Sequence, residues 1–197
     1  MHFRTLLEPL LATLKLHLTP SQLDLLDRHY RLLTLWNRRM NLTSIHYPAT
    51  IVRRHFGESL FVASCLGLRA GRLADIGSGA GFPGFPIAVL QTNLQVTLIE
   101  SAAKKAAFLK EISRGVENVQ VLHQRFEAGT DQYDCVVARA VALEPLAKQL
   151  GQRTRHLAVL TASSHVPSLG VALGLQELKV DPVPWKSGSV LLQGCFT

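Results

Sequence analysis

The sequence is poor in cysteine and contains no long apolar run. Its three cysteines, Cys65, Cys135 and Cys195, are far apart and form no Cys-x-x-Cys pair. This spacing argues against a disulfide framework and against a zinc site, so we expect a reducing compartment, the cytoplasm. No stretch approaches the roughly 18 apolar residues that cross a bilayer, and we expect no membrane partner.

Metal-ligand spacing and a nucleophile–base–acid set are also missing. The eight histidines are scattered along the chain, without the short repeats that metal sites use. We therefore predict no metal ion and no residue that acts as a general base. Among the histidines, only His55 is a candidate for lining a pocket.

Charge, by contrast, is in excess and mainly of one sign. The net charge is +7, and residues 1–60 hold eight Lys and Arg against four Asp and Glu. A basic chain tends to bind a polyanion, most often nucleic acid. A basic surface that is simply solvated is the alternative, and charge alone does not separate the two.

Residues 1–66 have the pattern of an all-helical region. Leucines recur at helical spacing through residues 1–18, which predicts an amphipathic helix packed on the protein instead of a cleaved leader. Thr19-Pro20-Ser21-Gln22 forms a capping box with proline at the first helical position. A further helix is predicted from Pro48 to about Leu66.

Residues 67–197 alternate short apolar runs with helical stretches, which predicts βαβ units and a mostly parallel sheet. The last two runs, Gln176–Val180 and Ser189–Gly194, are too close for a crossover helix and should pair antiparallel. We expect an α/β, Rossmann-like domain with an N-terminal helical extension, the two packed as one unit. The five earlier runs are Arg72–Ile76, Gln95–Ile99, Val119–Leu122, Tyr133–Val137 and His156–Leu160.

A glycine-rich segment, DIGSGAGFPGFP, ends the first of these runs and follows it as residues 75–86. The dinucleotide pattern GxGxxG, started at Gly77 directly after the strand, fails at Phe82. Asp75 also stands where dinucleotide-binding strands usually carry an apolar residue. The order Asp-x-Gly-x-Gly-x-Gly instead resembles the first motif of class I S-adenosylmethionine-dependent methyltransferases, which implies that fold and that cofactor. A tight turn without a ligand and an NAD(P) site are the alternatives.

Side chains at the ends of the next strands fit an adenosine ligand. Glu100 ends the second strand, where a carboxylate can accept both ribose hydroxyls. Phe126 and Glu127 follow the third strand and could flank an adenine ring, although Phe126 fits a plain core position equally well. Arg139 follows the fourth strand, and the Asn/Asp-Pro-Pro-aromatic motif of some exocyclic-amine methyltransferases is missing there.

The chain as a whole resembles the small-subunit ribosomal RNA methyltransferase G family, also called glucose-inhibited division protein B. The Gly-x-Pro-Gly end of the glycine loop is the most specific piece, and the match covers roughly residues 20–150. In chain order the matching segments are Trp36-Asn37, Asn41-Leu42-Thr43-Ser44, Arg54-His55, Glu58-Ser59, Asp75 to Gly84, Leu98-Ile99-Glu100-Ser101, Lys104-Lys105, Phe108-Leu109, Arg125-Phe126-Glu127 and Arg139-Ala140.

The resemblance implies methyl transfer from S-adenosylmethionine to N7 of one guanine in bacterial 16S rRNA, as free RNA or in the small ribosomal subunit. N7 has a lone pair and no proton to lose, so we expect positioning to be the main source of catalysis. The expected cofactor-binding residues are Asp75, Gly77, Gly79, Gly81, Phe82, Glu100, Phe126, Glu127 and Arg139. The expected RNA-binding residues are Arg38, Arg39, Asn41, Arg53, Arg54, His55, Lys104 and Lys105, with Arg28, Arg31 and Arg69 as further candidates.

The chain also departs from the family pattern. Where the family has a Lys-Gly pair after the fifth strand, this chain has Thr161-Ala162, so a basic contact with the substrate is expected to be missing. Glu58 replaces the usual Asp, and the last strand lacks a basic ending. These changes bear on substrate affinity more than on the cofactor. A class I methyltransferase for another substrate, or a nucleotide-binding regulatory module without catalysis, therefore stays open.

Overall fold

A seven-stranded sheet forms the centre of the computed structural model, which describes residues 2–68 and 70–196. The strands are β1 (Gly71–Ile76), β2 (Leu94–Glu100), β3 (Val119–His123), β4 (Tyr133–Arg139), β5 (Thr154–Ala162), β6 (Gln176–Pro182) and β7 (Ser189–Cys195). Their order is β3-β2-β1-β4-β5-β7-β6. Strands β1 to β5 run parallel, β7 runs antiparallel to β5, and β6 pairs antiparallel with β7. The predicted parallel sheet with an antiparallel end is confirmed.

Helices cover both faces of this sheet. They are α1 (Phe3–Leu14), α2 (Pro20–Met40), α3 (Pro48–Ile51), α4 (Glu58–Cys65), α5 (Gly84–Leu90), α6 (Ala103–Ile112), α7 (Ala147–Arg153) and α8 (Val166–Leu173). The predicted capping box begins α2: Thr19 Oγ1 accepts from the Gln22 N–H at 3.3 Å, and Gln22 Oε1 accepts from the Thr19 N–H at 2.9 Å. Within the described ranges, no helix has the length and apolar character that a bilayer span requires.

The helix predicted from Pro48 is continuous but contains a wider turn. A π-helical segment, Val52–Gly57, joins α3 to α4. Such segments place an extra residue in the turn and are frequent at functional sites. Here the segment carries Arg53, Arg54 and His55. At its end, Gly57 lets α1 approach closely, since a Cβ at this position would lie 2.8 Å from Leu10 Cδ1.

Two apolar cores lie on opposite faces of the sheet. The larger one joins α1 to α6 with sheet residues such as Leu73 and Val137, and the smaller one joins α7 and α8 with Ile76 and Val159. Phe3 of α1 packs edge-on against Phe56 with ring centroids 4.8 Å apart. The N-terminal helices thus share a core with the sheet, which supports the proposal that residues 1–66 and 67–197 pack as one unit.

Candidate functional site

A glycine turn connects β1 to α5 and is tied to β2 by its backbone. The N–H groups of Gly77 and Ser78 donate to the Ile99 carbonyl at 2.9 and 3.1 Å. Gly77, Gly79 and Gly81 have φ values of +65°, +58° and +91°, a region that strains residues with side chains. Among the described residues, a Cβ on Gly79 would meet only the Gly77 carbonyl oxygen, at 3.8 Å. Gly79 therefore leaves open space above the turn.

The Glu100 carboxylate is held beneath this turn by two backbone donors. Oε2 accepts from the Gly79 N–H at 2.9 Å, and Oε1 accepts from the Ala102 N–H at 2.8 Å. A carboxylate has about four acceptor sites, so both oxygens can still accept from a ligand. The end of β2 thus offers a fixed acceptor next to open space at Gly79.

Asp75 is fully buried and closes the glycine turn from inside. Its Oδ2 accepts from the Gly84 N–H at 2.8 Å, and a Cβ on Gly84 would lie 2.6 Å from Asp75. Its Oδ1 has no hydrogen-bond partner among the described residues. Burial raises the pKa of Asp75 to about 7, against the lowering effect of the Gly84 hydrogen bond. The close fit explains why glycine follows Pro83 in this loop.

Phe82 lies between two histidine rings. Its ring stacks on His29 with centroids 4.6 Å apart and on His55 with centroids 4.7 Å apart. Both faces of Phe82 are therefore covered, and a contact with a cofactor would fall to its backbone or ring edge. Burial lowers the pKa of both histidines to about 3, so both are neutral near pH 7. His29 also bonds the Ala80 carbonyl at 2.8 Å, which ties α2 to the glycine turn.

The Arg139 side chain connects β4 to the π-helical segment. Its Nη2 lies 3.1 Å from Glu58 Oε2, and its Nη1 donates to the Arg54 carbonyl at 2.6 Å. His55 in turn bonds Thr43 Oγ1 through Nε2 at 2.9 Å. Motif residues that are far apart in the sequence therefore converge on one guanidinium.

The expected adenine-side residues occupy different environments. Phe126 is buried, and the guanidinium carbon of Arg153 lies 3.9 Å from its ring centroid. Arg153 also donates to the carbonyls of Phe126 and Asp131. Glu127 is exposed at the surface of the same turn. One face of Phe126 is thus covered by Arg153, which holds the 126–131 segment in place.

A cavity of about 560 Å³ lies at the carboxyl ends of β4 and β5. It includes Thr161 and Ala162, where the resemblance predicts a missing basic contact. The loop between β6 and β7 brings Lys186 into the same cavity. The cavity also touches Val141, and a Cβ on Gly77 would lie 2.6 Å from Val141 Cγ2. The cavity and the glycine turn therefore adjoin through this residue. Its other polar and charged lining residues include Arg54, Glu58, Arg139, Glu144, His165, Ser168 and Ser189.

The residues expected to bind RNA lie in several places. Those that are exposed are Arg38, Arg39, Asn41, Arg53 and Lys104, whereas Arg54 and Lys105 are half-buried and His55 is buried. Arg31 is exposed, and its Nε lies 3.6 Å from Asp27. Arg28 caps the end of α6, donating to the carbonyls of Ile112 at 2.5 Å and Arg114 at 2.8 Å. Arg69 lies outside the described residues.

Three site residues were missed in the sequence. His29 lies on an apolar face of α2, a position typical of a core residue. Lys186 follows a tryptophan in a short loop between two strands, and Arg153 ends a short helix that no periodicity indicated. The signals were weak because each role depends on contacts between distant segments.

In the part of the chain that the structure describes, no group of three or more His, Cys, Asp or Glu side chains is arranged to hold a metal ion.

Comparison with known families shows which family this chain belongs to. The family described as rRNA small subunit methyltransferase G matches residues 22–158, which include the glycine turn, Glu100 and Arg139. The chain belongs to this family. Relatives named ribosomal RNA small subunit methyltransferase G include one from Roseiflexus castenholzii, 47% identical over 64% of this chain and 58% of the relative. Another from Halorhodospira halophila is 42% identical over 73% of this chain and 68% of the relative.

The resemblance inferred from the motifs is thereby confirmed. The chain spans less than two thirds of several relatives, for example 56% of the one from Chloroflexus aggregans. Among solved structures, a ribosomal protein L11 methylase from Lactobacillus delbrueckii has a TM-score of 0.62 at 15% identity, covering 79% of this chain and 81% of that one. A magnesium protoporphyrin IX methyltransferase from Synechocystis, solved with S-adenosylmethionine, has a TM-score of 0.60 at 14% identity, covering 86% and 97%. The fold is that of the class I methyltransferases.

Proposed function

We propose that this chain transfers a methyl group from S-adenosylmethionine to N7 of a guanine in the RNA of the small ribosomal subunit, in the cytoplasm. The family match over residues 22–158 carries the proposal. It covers both the turn that would hold the cofactor and Arg139 at the neighbouring cavity.

The cofactor site would lie between the ends of β1 and β2. Gly79 leaves open space above the turn, and Glu100 offers acceptor sites to ribose hydroxyls. The segment around Phe126 and Glu127 would border the adenine, with Arg153 holding that segment in place. When bound, the cofactor supplies a methyl group on a positively charged sulfur. These residues fit it because they combine an open backbone turn with a fixed carboxylate.

The proposed reaction needs no proton acceptor on the protein, because N7 of guanine attacks through a lone pair. The contacts of the groups nearest to the proposed site are consistent with a reaction that needs no proton acceptor. Asp75 is fully buried and bonded to Gly84. His55 is bonded to Thr43 and stacked on Phe82. The task of the chain is then to bind, orient and shield the two reactants.

The RNA would enter through the cavity beside Arg139. Its position next to Val141 and the glycine turn brings a bound base close to the cofactor side of the sheet. A base within a folded RNA would have to be unstacked to enter. The exposed arginines at the end of α2, Arg38 and Arg39, could bind flanking phosphates.

A transfer assay with isotopically labelled methyl groups tests the proposal. Small-subunit RNA and intact subunits are incubated with the chain and labelled cofactor, and the RNA is then digested to nucleosides. We expect label in N7-methylguanine, with inhibition by S-adenosylhomocysteine. Transfer to a small molecule or protein and none to RNA contradicts the substrate. Binding of NAD without binding of S-adenosylmethionine contradicts the reaction.

A further inference from the structure

One buried carboxylate in the cavity faces three cations. Glu58 is 2% exposed, and its Oε2 pairs with Arg139 at 3.1 Å. Its Oε1 lies 3.6 Å from Arg54 Nε and 4.0 Å from Lys186 Nζ. Among the described lining residues, Glu144 at the rim is the only other acid, so the cavity keeps a net positive charge. Such a lining favours an anionic ligand.

Lys186 is the cation of this group that lies farthest from the Glu58 carboxylate, at 4.0 Å. Arg139 is used by Glu58 and by the Arg54 carbonyl, whereas the Lys186 ammonium makes no hydrogen bond among the described residues. Its side chain is 35% exposed. Burial nevertheless lowers the pKa of Lys186, since part of its side chain lies within the cavity. An ammonium whose three N–H donors are free commonly binds a phosphate group in proteins.

The backbone around Lys186 is fixed. Its N–H donates to the Val183 carbonyl at 3.1 Å, and its carbonyl accepts from the Ser189 N–H at 3.3 Å. The neighbouring Trp185 ring packs edge-on against Phe61, with centroids 6.4 Å apart. A further bond from the Ser163 N–H to the Gly188 carbonyl, at 2.9 Å, joins the loop to the end of β5. The side chain therefore extends from a rigid base into the cavity.

We propose that Lys186 binds a backbone phosphate of the RNA whose base enters this cavity. The inference rests on the proposed function and adds a contact to it. Ser189 and Thr161 line the same cavity and offer neutral hydroxyl donors to the same phosphate. The loop between β6 and β7 thus supplies the positive charge that the segment after β5 lacks.

Binding of small-subunit RNA by the full chain across a range of salt concentrations tests this contact. We expect Lys186→Gln to weaken binding about tenfold, because a charge-assisted hydrogen bond is lost. The slope of log affinity against log salt should fall by about one. Lys186→Arg should restore most of the affinity. The matched control is Lys179→Gln, on β6, since Lys179 is 60% exposed and pairs with Asp181 at 3.1 Å.

Four results bear on this inference and on the proposed function, and the first three separate the two. If Lys186→Gln binds RNA like Lys179→Gln, or keeps the wild-type salt slope, the phosphate contact is wrong. If affinity for S-adenosylhomocysteine falls in parallel, the residue acts through the fold and the contact is again wrong. If the wild-type chain binds RNA without methylating it, the reaction is wrong, while the Lys186 comparison still decides the contact. If the wild-type chain binds no RNA, both are overturned.

Discussion

At the scale of single residues, Gly77 links the glycine turn to the cavity. A Cβ there would lie 2.6 Å from Val141 Cγ2, in a backbone with φ +65°. We expect Gly77→Ala to displace residues 139–141 and lower affinity for S-adenosylhomocysteine roughly tenfold or more. Gly115 has φ +74° with no described atom within 4 Å of a Cβ, so Gly115→Ala carries the strain without the collision.

Both substitutions should cost about 1–2 kcal/mol of stability from the left-handed backbone alone. Calorimetry with S-adenosylhomocysteine and urea unfolding measure the two effects separately. Equal affinities for the two variants would show that the contact with Val141 does not matter for the cofactor.

Glu58 is the buried acid that faces the three cations Arg54, Arg139 and Lys186. Glu58→Gln leaves Arg139 without its counter-ion at 3.1 Å. Since the Arg139 side chain keeps 14% exposure, we expect a loss of about 2–3 kcal/mol, somewhat below that of a fully buried pair. Glu111→Gln is the control, because its partner Arg114 is 76% exposed and such pairs contribute about 0–1 kcal/mol. Similar losses in urea unfolding for the two variants would argue against a structural role for Glu58.

At the scale of elements, the sequence predicted what local patterning determines. The alternation of strands and helices, the capping box of α2 and the antiparallel end of the sheet follow from periodicity, caps and loop length. Helices α7 and α8 were missed because they are short and each follows a 3₁₀ turn. The π-helical turn at Val52–Gly57 was missed because the local sequence patterns give no signal for it.

In the candidate site, too, the residues marked by local patterns were predicted, and those that depend on contacts between distant segments were not. Glu100 and the glycines were found because strand ends and positive φ values have recognisable residue types. The covering of Phe82 by His29 and His55 could not be found, since it requires α2 and the π-helical segment to meet over one ring. Lys186 was missed because its loop folds back over the end of β5 only in three dimensions.

The contact between α2 and the glycine turn predicts acid sensitivity. His29 has a pKa of about 3 in the folded chain and an ordinary value near 6.5 when unfolded. Between these values the unfolded state binds one more proton, so the stability present above pH 6.5 is lost as the pH falls. His29 contributes about 1.4 kcal/mol per pH unit to this slope, and His55, whose pKa is lowered to a similar value, contributes in the same direction.

We expect His29→Phe to keep the stacking on Phe82 and to remove this proton from the slope. Urea unfolding between pH 4.5 and pH 7 measures the change. Substitution of the exposed His17 by Phe is the control and should keep the wild-type slope. An unchanged slope in His29→Phe would mean that His29 does not stay neutral in the folded chain.

At the scale of the whole molecule, the net charge of +7 should favour RNA binding, and part of this charge lies at the end of α2. Arg38 and Arg39 are exposed in the last turn of α2. We expect Arg38→Glu/Arg39→Glu to weaken RNA binding strongly and to reduce the salt slope by about two. The control reverses two exposed lysines elsewhere, Lys148→Glu/Lys179→Glu, with the same change in net charge. Equal losses in the two double variants would indicate a general charge effect without a defined RNA surface.

The central claim is methylation of a guanine at N7 in small-subunit RNA. The most direct measurement is a map of N7-methylguanine across that RNA, from cells with the gene, without it, and with the gene restored. We expect one guanine to lose N7 methylation without the gene and to regain it on restoration. An identical N7-methylguanine pattern in all three would contradict the claim.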